Sequence, residues 1–177
     1  PATGRDTPPS VELAAGRQDQ RLTLEDHRIT HCTVGFKGDT AAGMVDGPIR
    51  LTGHSAGGHL VTRMACRDAP LPGDIRQRIA HIVSISGVHD LRPLTRTAMN
   101  AKLFRTPDEA AAESPALLEP VPGTRLTCWV GDRERPEFIR QNDLLANIWH
   151  GLGAGTRHVH DAGRHHFNVI DGLEDPD

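Results

Sequence analysis

The chain has 177 residues and a formal charge of −3, with 20 Lys and Arg against 23 Asp and Glu and no basic cluster or long like-charge run. That balance argues against nucleic acid and anionic membranes as partners, because their phosphates demand concentrated positive charge. No apolar stretch approaches the ~20 residues that span a bilayer, and the N-terminus lacks a basic region followed by an apolar segment, so the sequence predicts a soluble cytoplasmic protein. Cys32, Cys66 and Cys128 are odd in number, far apart and in no C-x-x-C pair, which predicts reduced, mostly buried thiols, neither a disulfide framework nor a zinc knuckle. With 3% aromatic residues and no tyrosine, stacking onto sugars or bases is disfavoured.

Residues 1 to 20, with Thr7-Pro8-Pro9-Ser10 among small and polar residues, read as a mobile arm. Between Arg21 and Phe36, Leu22/Leu24 and Ile29 to Val34 alternate weakly enough to make one or two edge strands. His27 and His31 share an i, i+4 spacing, but β-branched neighbours favour a strand, and two surface histidines are the simpler reading. Residues 1 to 45 are therefore an unassigned N-terminal segment, and 46 to 177 form the core. Lys37 to Gly47 is loop, Pro48 to Thr52 a short strand, and Gly58 to Cys66 a helix carrying Leu60, Val61 and Met64 on its apolar side. Pro70 and Pro72 stop that helix. A short turn over Ile75 to Ala80 then leads into the strand His81 to Ser86, completing a parallel βαβ unit.

Ser86 to Leu94 leaves the carboxyl end of that strand, the edge on which open α/β sheets place ligands. Thr106-Pro107-Asp108-Glu109 combines an N-cap, a proline at the first helical position and a capping box. Leu126 to Val130 is the next strand, followed by the charged loop Asp132 to Arg135 and a helix from Pro136 to His150. On that helix Phe138, Leu145 and Trp149, flanked by Leu144 and Ile148, predict a core-facing stripe. Arg157 to His160 is a final strand before a Gly163 turn, the pair His165 and His166, and a short apolar helix from Phe167.

The chemistry concentrates at Gly53-His54-Ser55-Ala56-Gly57, a G-x-S-x-G pattern between a strand and a helix. That is the pattern of a nucleophile elbow, a sharp turn that exposes a serine hydroxyl at the carboxyl end of a strand. Gly53 and Gly57 are expected to supply the room this turn needs. The first N–H groups of the following helix would face whatever oxygen becomes negative there, which makes Ala56 and Gly57 the candidate oxyanion and binding residues.

Five motifs in order, Gly53 to Leu60, Ile85 to Leu94, Ser114-Pro115-Ala116, Arg135 to Gln141 and His166-Phe167, resemble the α/β-hydrolases of the kynurenine formamidase (arylformamidase) and esterase-like group over about residues 46 to 177. The resemblance implies a mostly parallel sheet with flanking helices. It stops before the first 45 residues, so the early strands are expected to be lacking or remodelled. It also implies a small cap around residues 95 to 113, and no cofactor.

In α/β-hydrolases the triad follows the order Ser, Asp/Glu, His. The family's catalytic histidine stands directly before a phenylalanine, which maps onto His166. Aligning backward from Pro136-Glu137-Phe138 puts the acid on Glu134, whereas closeness to the strand end favours Asp132; Glu134 is preferred. The expected reaction is cleavage of an ester or aryl formamide, N-formylkynurenine-like, through an acyl- or formyl-Ser55. A competing reading uses metal: His158 and His160 point the same way on a strand, with Asp161, His165 and His166 close behind. A third is an inactive remnant. Members of the group carry a His-Gly-Gly stretch that supplies a second oxyanion donor, and residues 1 to 45 contain none. A sheet short of early strands is also expected to associate through its open edge.

Overall fold

The computed structural model describes residues 47–103 and 106–173, together with the residue pairs 24–25 and 28–29. The chain divides into two compact units, Pro1–Gly47 and Pro48–Asp177. In the first, β1 (Leu24–Glu25) pairs antiparallel with β2 (Arg28–Ile29). The arm expected over residues 1 to 20, His27, His31 and Cys32 lie outside the described residues.

The second unit is built on four parallel strands: β3 (Ile49–His54), β4 (Ile79–Ile85), β5 (Arg125–Gly131) and β6 (Gly155–Asp161), in that spatial order. Each strand lies beside the next in sequence, so every crossover runs the same way. Right-handed crossovers then put α1 (Ala56–Met64) and α5 (Pro136–Gly151) on one face of the sheet. The register sets Leu51, Ile82 and Leu126 side by side on that covered face, all of them buried. From α5 come Leu145 and Trp149, both fully buried, and the Trp149 indole N–H donates to the carbonyl of Pro115 at 3.0 Å. Burying two such side chains contributes roughly 1.5–3 kcal/mol each.

The elements match the sequence reading with informative differences at their ends. α1 begins two residues early because the elbow passes straight into the helix, and it stops at Met64. Cys66 instead forms a bridge with Pro120. Gly73–Gln77 is α2, and β4 begins at Ile79, two residues ahead of the expected strand. Arg92–Arg96 is a 3-10 turn and Asn100–Leu103 a single helical turn, α3. α4 (Pro107–Ala112) has the expected capping box, with the Thr106 hydroxyl accepting from Glu109 N–H at 3.2 Å and Thr106 N–H donating to Glu109 at 2.9 Å. The apolar segment after Phe167 is a 3-10 turn over Val169–Leu173. Cys66 and Cys128 are free and buried, and burial pushes both thiols up to about 12, as inert core sulfurs behave. No helix among the described residues is long and apolar enough to cross a membrane.

Two buried polar side chains hold the loop after β4. Gln141 on α5 accepts from the N–H groups of His89 and Asp90 at 2.8 and 2.7 Å and donates to the Asp90 carbonyl at 2.9 Å. His89, fully buried between α1 and β4, has Nδ1 3.2 Å from the Thr62 hydroxyl and Nε2 3.3 Å from that of Ser84. The Thr62 proton goes back to the helix carbonyls of Gly58 and His59, so a neutral His89 with its proton on Nδ1 satisfies the set, donating to Thr62 and accepting from Ser84. Burial, and the nearby His59 secondarily, lower His89 to about 3. An unfolded histidine titrates near 6.5, so between about pH 6.5 and 3 the unfolded chain binds the extra proton and acid favours unfolding. Thermal denaturation should therefore show stability falling as the pH drops from 6.5 towards 4, with His89 contributing up to about 1.4 kcal/mol per pH unit. In His89→Gln that acid dependence should be smaller, although the variant is less stable at pH 7.

Candidate active site

β3 ends in a turn that a chain of ordinary side chains could not make. Ser55 has φ 56° and ψ −117°, a sparsely populated conformation that costs on the order of 1–3 kcal/mol and is characteristic of functional turns. Its N–H donates to the carbonyl of Ile85 at 2.9 Å, tying the elbow to the end of β4. A Cβ at Gly53 would lie 2.1 Å from the Gly57 carbonyl oxygen, and one at Gly58 would lie 2.6 Å from Ser84 Oγ and 2.7 Å from Gly87 Cα. One at Gly57 would meet nothing within 4 Å. The expectation that Gly53 and Gly57 make the room is therefore corrected to Gly53 and Gly58, because the helix presses its third residue, not its second, against β4. Ala56 and Gly57 open α1, where backbone N–H groups have no acceptor within the helix and the helix dipole presents its positive end.

The loop after β5 carries Glu134, whose side chain has no solvent exposure. Oε1 accepts from Gly131 N–H at 3.0 Å and from the Ser86 hydroxyl. Oε2 lies 2.7 Å from His166 Nδ1, and His166 Nε2 lies 3.1 Å from Ser55 Oγ. The acid, imidazole and hydroxyl thus form one continuous relay, with the imidazole one-fifth exposed and open to a substrate. Gly131 permits this convergence: a Cβ there would meet the Arg164 carbonyl at 2.3 Å, so only glycine lets the two loops approach.

Asp132, the alternative acid, does not reach His166. It accepts from Gly163 N–H at 2.8 Å and so fixes the turn that leads to His165 and His166. His165 N–H donates to Asn168 Oδ1 at 2.7 Å, leaving His166 as the histidine turned to the relay. On the exposed side of β6, Asp143 lies 4.0 Å from His158 and 2.7 Å from His160. Asp161 accepts from the Trp129 indole N–H at 3.2 Å. The five residues of the metal reading do not converge, and among the described residues no group of three or more His, Cys, Asp or Glu is placed to hold a metal ion.

Three further side chains join the site, two beside His166 and one beside Glu134. His54 Nε2 donates to the His166 carbonyl at 2.8 Å, and the two rings lie 4.7 Å apart. Burial first, and the adjacent His166 second, hold His54 below the ordinary histidine value. A His54 biased towards its neutral form places little positive charge beside the His166 ring. Phe138, expected in the core stripe of α5, lies instead 4.2 Å from the His166 ring at 32°. It occupies the first turn of α5, at the carboxyl edge of the sheet, where the helix faces the loops and not the core. Ser86 is the third. A serine ending a strand before a Gly-Val-His turn is the one hint the sequence holds.

No family model matches the chain. It is 28% identical over 130 residues to the kynurenine formamidase of Danio rerio, covering 71% of this chain and 44% of that protein. To the kynurenine formamidase of Salmo salar it is 30% identical over 137 residues, covering 72% and 45%. A provisionally named thioesterase from Silicibacter sp. TM1040 superposes with a TM-score of 0.69 at 46% identity, covering 75% of this chain and 48% of that one. The chain has an α/β-hydrolase fold and is similar to the kynurenine formamidase and esterase-like group. It spans about half the length of the relatives it matches.

For this α/β-hydrolase chain the geometry separates the two candidate acids experimentally. Glu134→Gln should lower the rate at which a fluorophosphonate labels Ser55 by roughly 10²–10⁴, because an amide can hold His166 in the wrong tautomer. Asp132→Asn, which keeps an acceptor for Gly163, should change that rate by less than about tenfold. Equal losses in the two variants would remove the distinction.

Proposed function

We propose that this chain cleaves esters or aryl formamides through an acyl- or formyl-serine. The observation that carries the reading is the unbroken Glu134, His166, Ser55 relay ending on a strained elbow. In the first half-reaction Ser55 Oγ attacks the carbonyl carbon while His166 Nε2 accepts the hydroxyl proton. Negative charge gathers on the former carbonyl oxygen, facing the N–H of Ala56 at the start of α1. As the tetrahedral adduct collapses, His166 returns the proton to the departing alcohol or arylamine, and the acyl or formyl group stays on Ser55. Water then adds with His166 taking its proton; the acid is released and Ser55 regains its hydrogen. Glu134 holds the Nδ1 proton throughout and stabilises the imidazolium.

The relatives named kynurenine formamidase support the formamide half of the reading, and the aromatic rings around His166 suit an arylamine leaving group. Phe138 lies over the imidazole, and Phe167, four-fifths exposed, meets its edge at 5.5 Å. The purified protein should hydrolyse p-nitrophenyl acetate or an N-formyl arylamine in the presence of a chelator. Ser55→Ala should abolish this, and a fluorophosphonate should label Ser55 in the native but not the heat-denatured chain. Turnover that survives Ser55→Ala, or that vanishes with chelator and returns with zinc, would overturn the serine mechanism. A native chain that neither turns over nor labels would be the inactive remnant.

A further inference from the structure

Resting on that reading, we propose that Ser86 is a positioning residue for the acid, the fourth member of a Ser86, Glu134, His166, Ser55 chain. Ser86 is fully buried and directly follows β4. Its backbone has φ 49°, a left-handed conformation that glycine adopts freely and serine only at a cost. What serine adds at this point is a hydroxyl, and that hydroxyl donates to Glu134 Oε1. The donor is rigidly held, because Ser86 N–H is bonded to the Trp129 carbonyl at 2.7 Å, two residues before Gly131, the other donor to Oε1. The ends of β4 and β5 thus clamp one carboxylate oxygen with two donors and leave Oε2 to His166 alone.

The consequence is electrostatic as well as geometric. With no water reaching Glu134, its charge is spread over these few hydrogen bonds, and each donor on Oε1 moderates the pull of Oε2 on the His166 Nδ1 proton. Deleting the Ser86 hydroxyl leaves Oε1 with Gly131 N–H, frees the carboxylate to turn, and strengthens its attraction for a protonated His166. Less of the imidazole is then available as a base on the acidic side.

The test uses two deletions with opposite backbone effects. Ser86→Ala keeps a Cβ in the left-handed conformation, and Ser86→Gly relieves it; both remove the hydroxyl. In both, fluorophosphonate labelling of Ser55 should slow roughly 10- to 100-fold, the range for losing a hydrogen bond to a charged group. The acidic limb of its rate profile should also move to higher pH. Asp132→Asn, measured beside them, should leave that limb in place. Independently of any reactivity, the downfield proton resonance of the His166 Nδ1–H bond to Glu134 should shift further downfield in both variants. A Ser86→Gly protein with wild-type labelling, an unmoved acidic limb and an unmoved resonance would overturn the proposal and assign Ser86 to the turn alone. If native wild-type Ser55 does not label, the serine mechanism fails, and the resonance still decides whether Ser86 acts on the Glu134 to His166 bond.

Discussion

A carboxyl group sealed from water has to find all its hydrogen-bond partners inside the protein, and that requirement at Glu134 organises the second unit of the chain. Its partners come from three places distant in sequence: the end of β4, the end of β5 and the loop after β6. Only a parallel sheet in which those three strands lie side by side, all with their carboxyl ends on one edge, brings them within reach of one side chain. The sheet order is in this sense a condition of the site. A slip of one residue in the β4 to β5 register would carry Ser86 and Gly131 off the same oxygen.

The same edge collects the conformational strain. Ser55 and Ser86 are the non-glycine residues with positive φ among those described, and they follow directly after β3 and β4. Neighbouring strand ends are held in unfavourable turns because the surrounding bonds over-determine them: Ser55 N–H on Ile85, Ser86 N–H on Trp129. Beneath them, the close approach of Gly58 to Gly87 and Ser84 locks α1 onto β4. Strain at the edge is thus offset by packing and hydrogen bonding one layer deeper, where Thr62, Ser84 and His89 satisfy one another.

How far the sequence reads through to this arrangement depends on the range of the interaction. The capping box at Thr106, the strand, turn and helix around Ser55 and the long helix from Pro136 are written in neighbouring residues, and they are legible. Gly58 carries no such mark, since its need arises from Gly87 and Ser84, some thirty residues on in the chain. Phe138 reads as a core residue because a helical period cannot tell which turns of a helix overhang the sheet edge. Ser86 and Gln141 fall in segments the sequence marks, but their partners are not marked: these lie 48 and about 50 residues away, and only the fold brings them together. Motif resemblance alone favours Glu134 over Asp132 in the sequence, while the physical distinction, a buried carboxylate against an exposed one that fixes a turn, belongs to three dimensions.

Three histidines in this unit show how environment divides one chemistry into separate tasks. His89, sealed between two hydroxyls, is so strongly disfavoured as a cation that it acts as a neutral spacer under the elbow. His54, part-buried beside another imidazole, is also biased towards the neutral form, and its one donor goes to the backbone of the loop that carries His166. His166 alone has a carboxylate on one nitrogen and a hydroxyl on the other. Burial thus biases His54 and His89 away from the charged form, and of the three only His166 is set against a carboxylate. The contrast among them rests on desolvation around His54 and His89 as much as on the contact between His166 and Glu134.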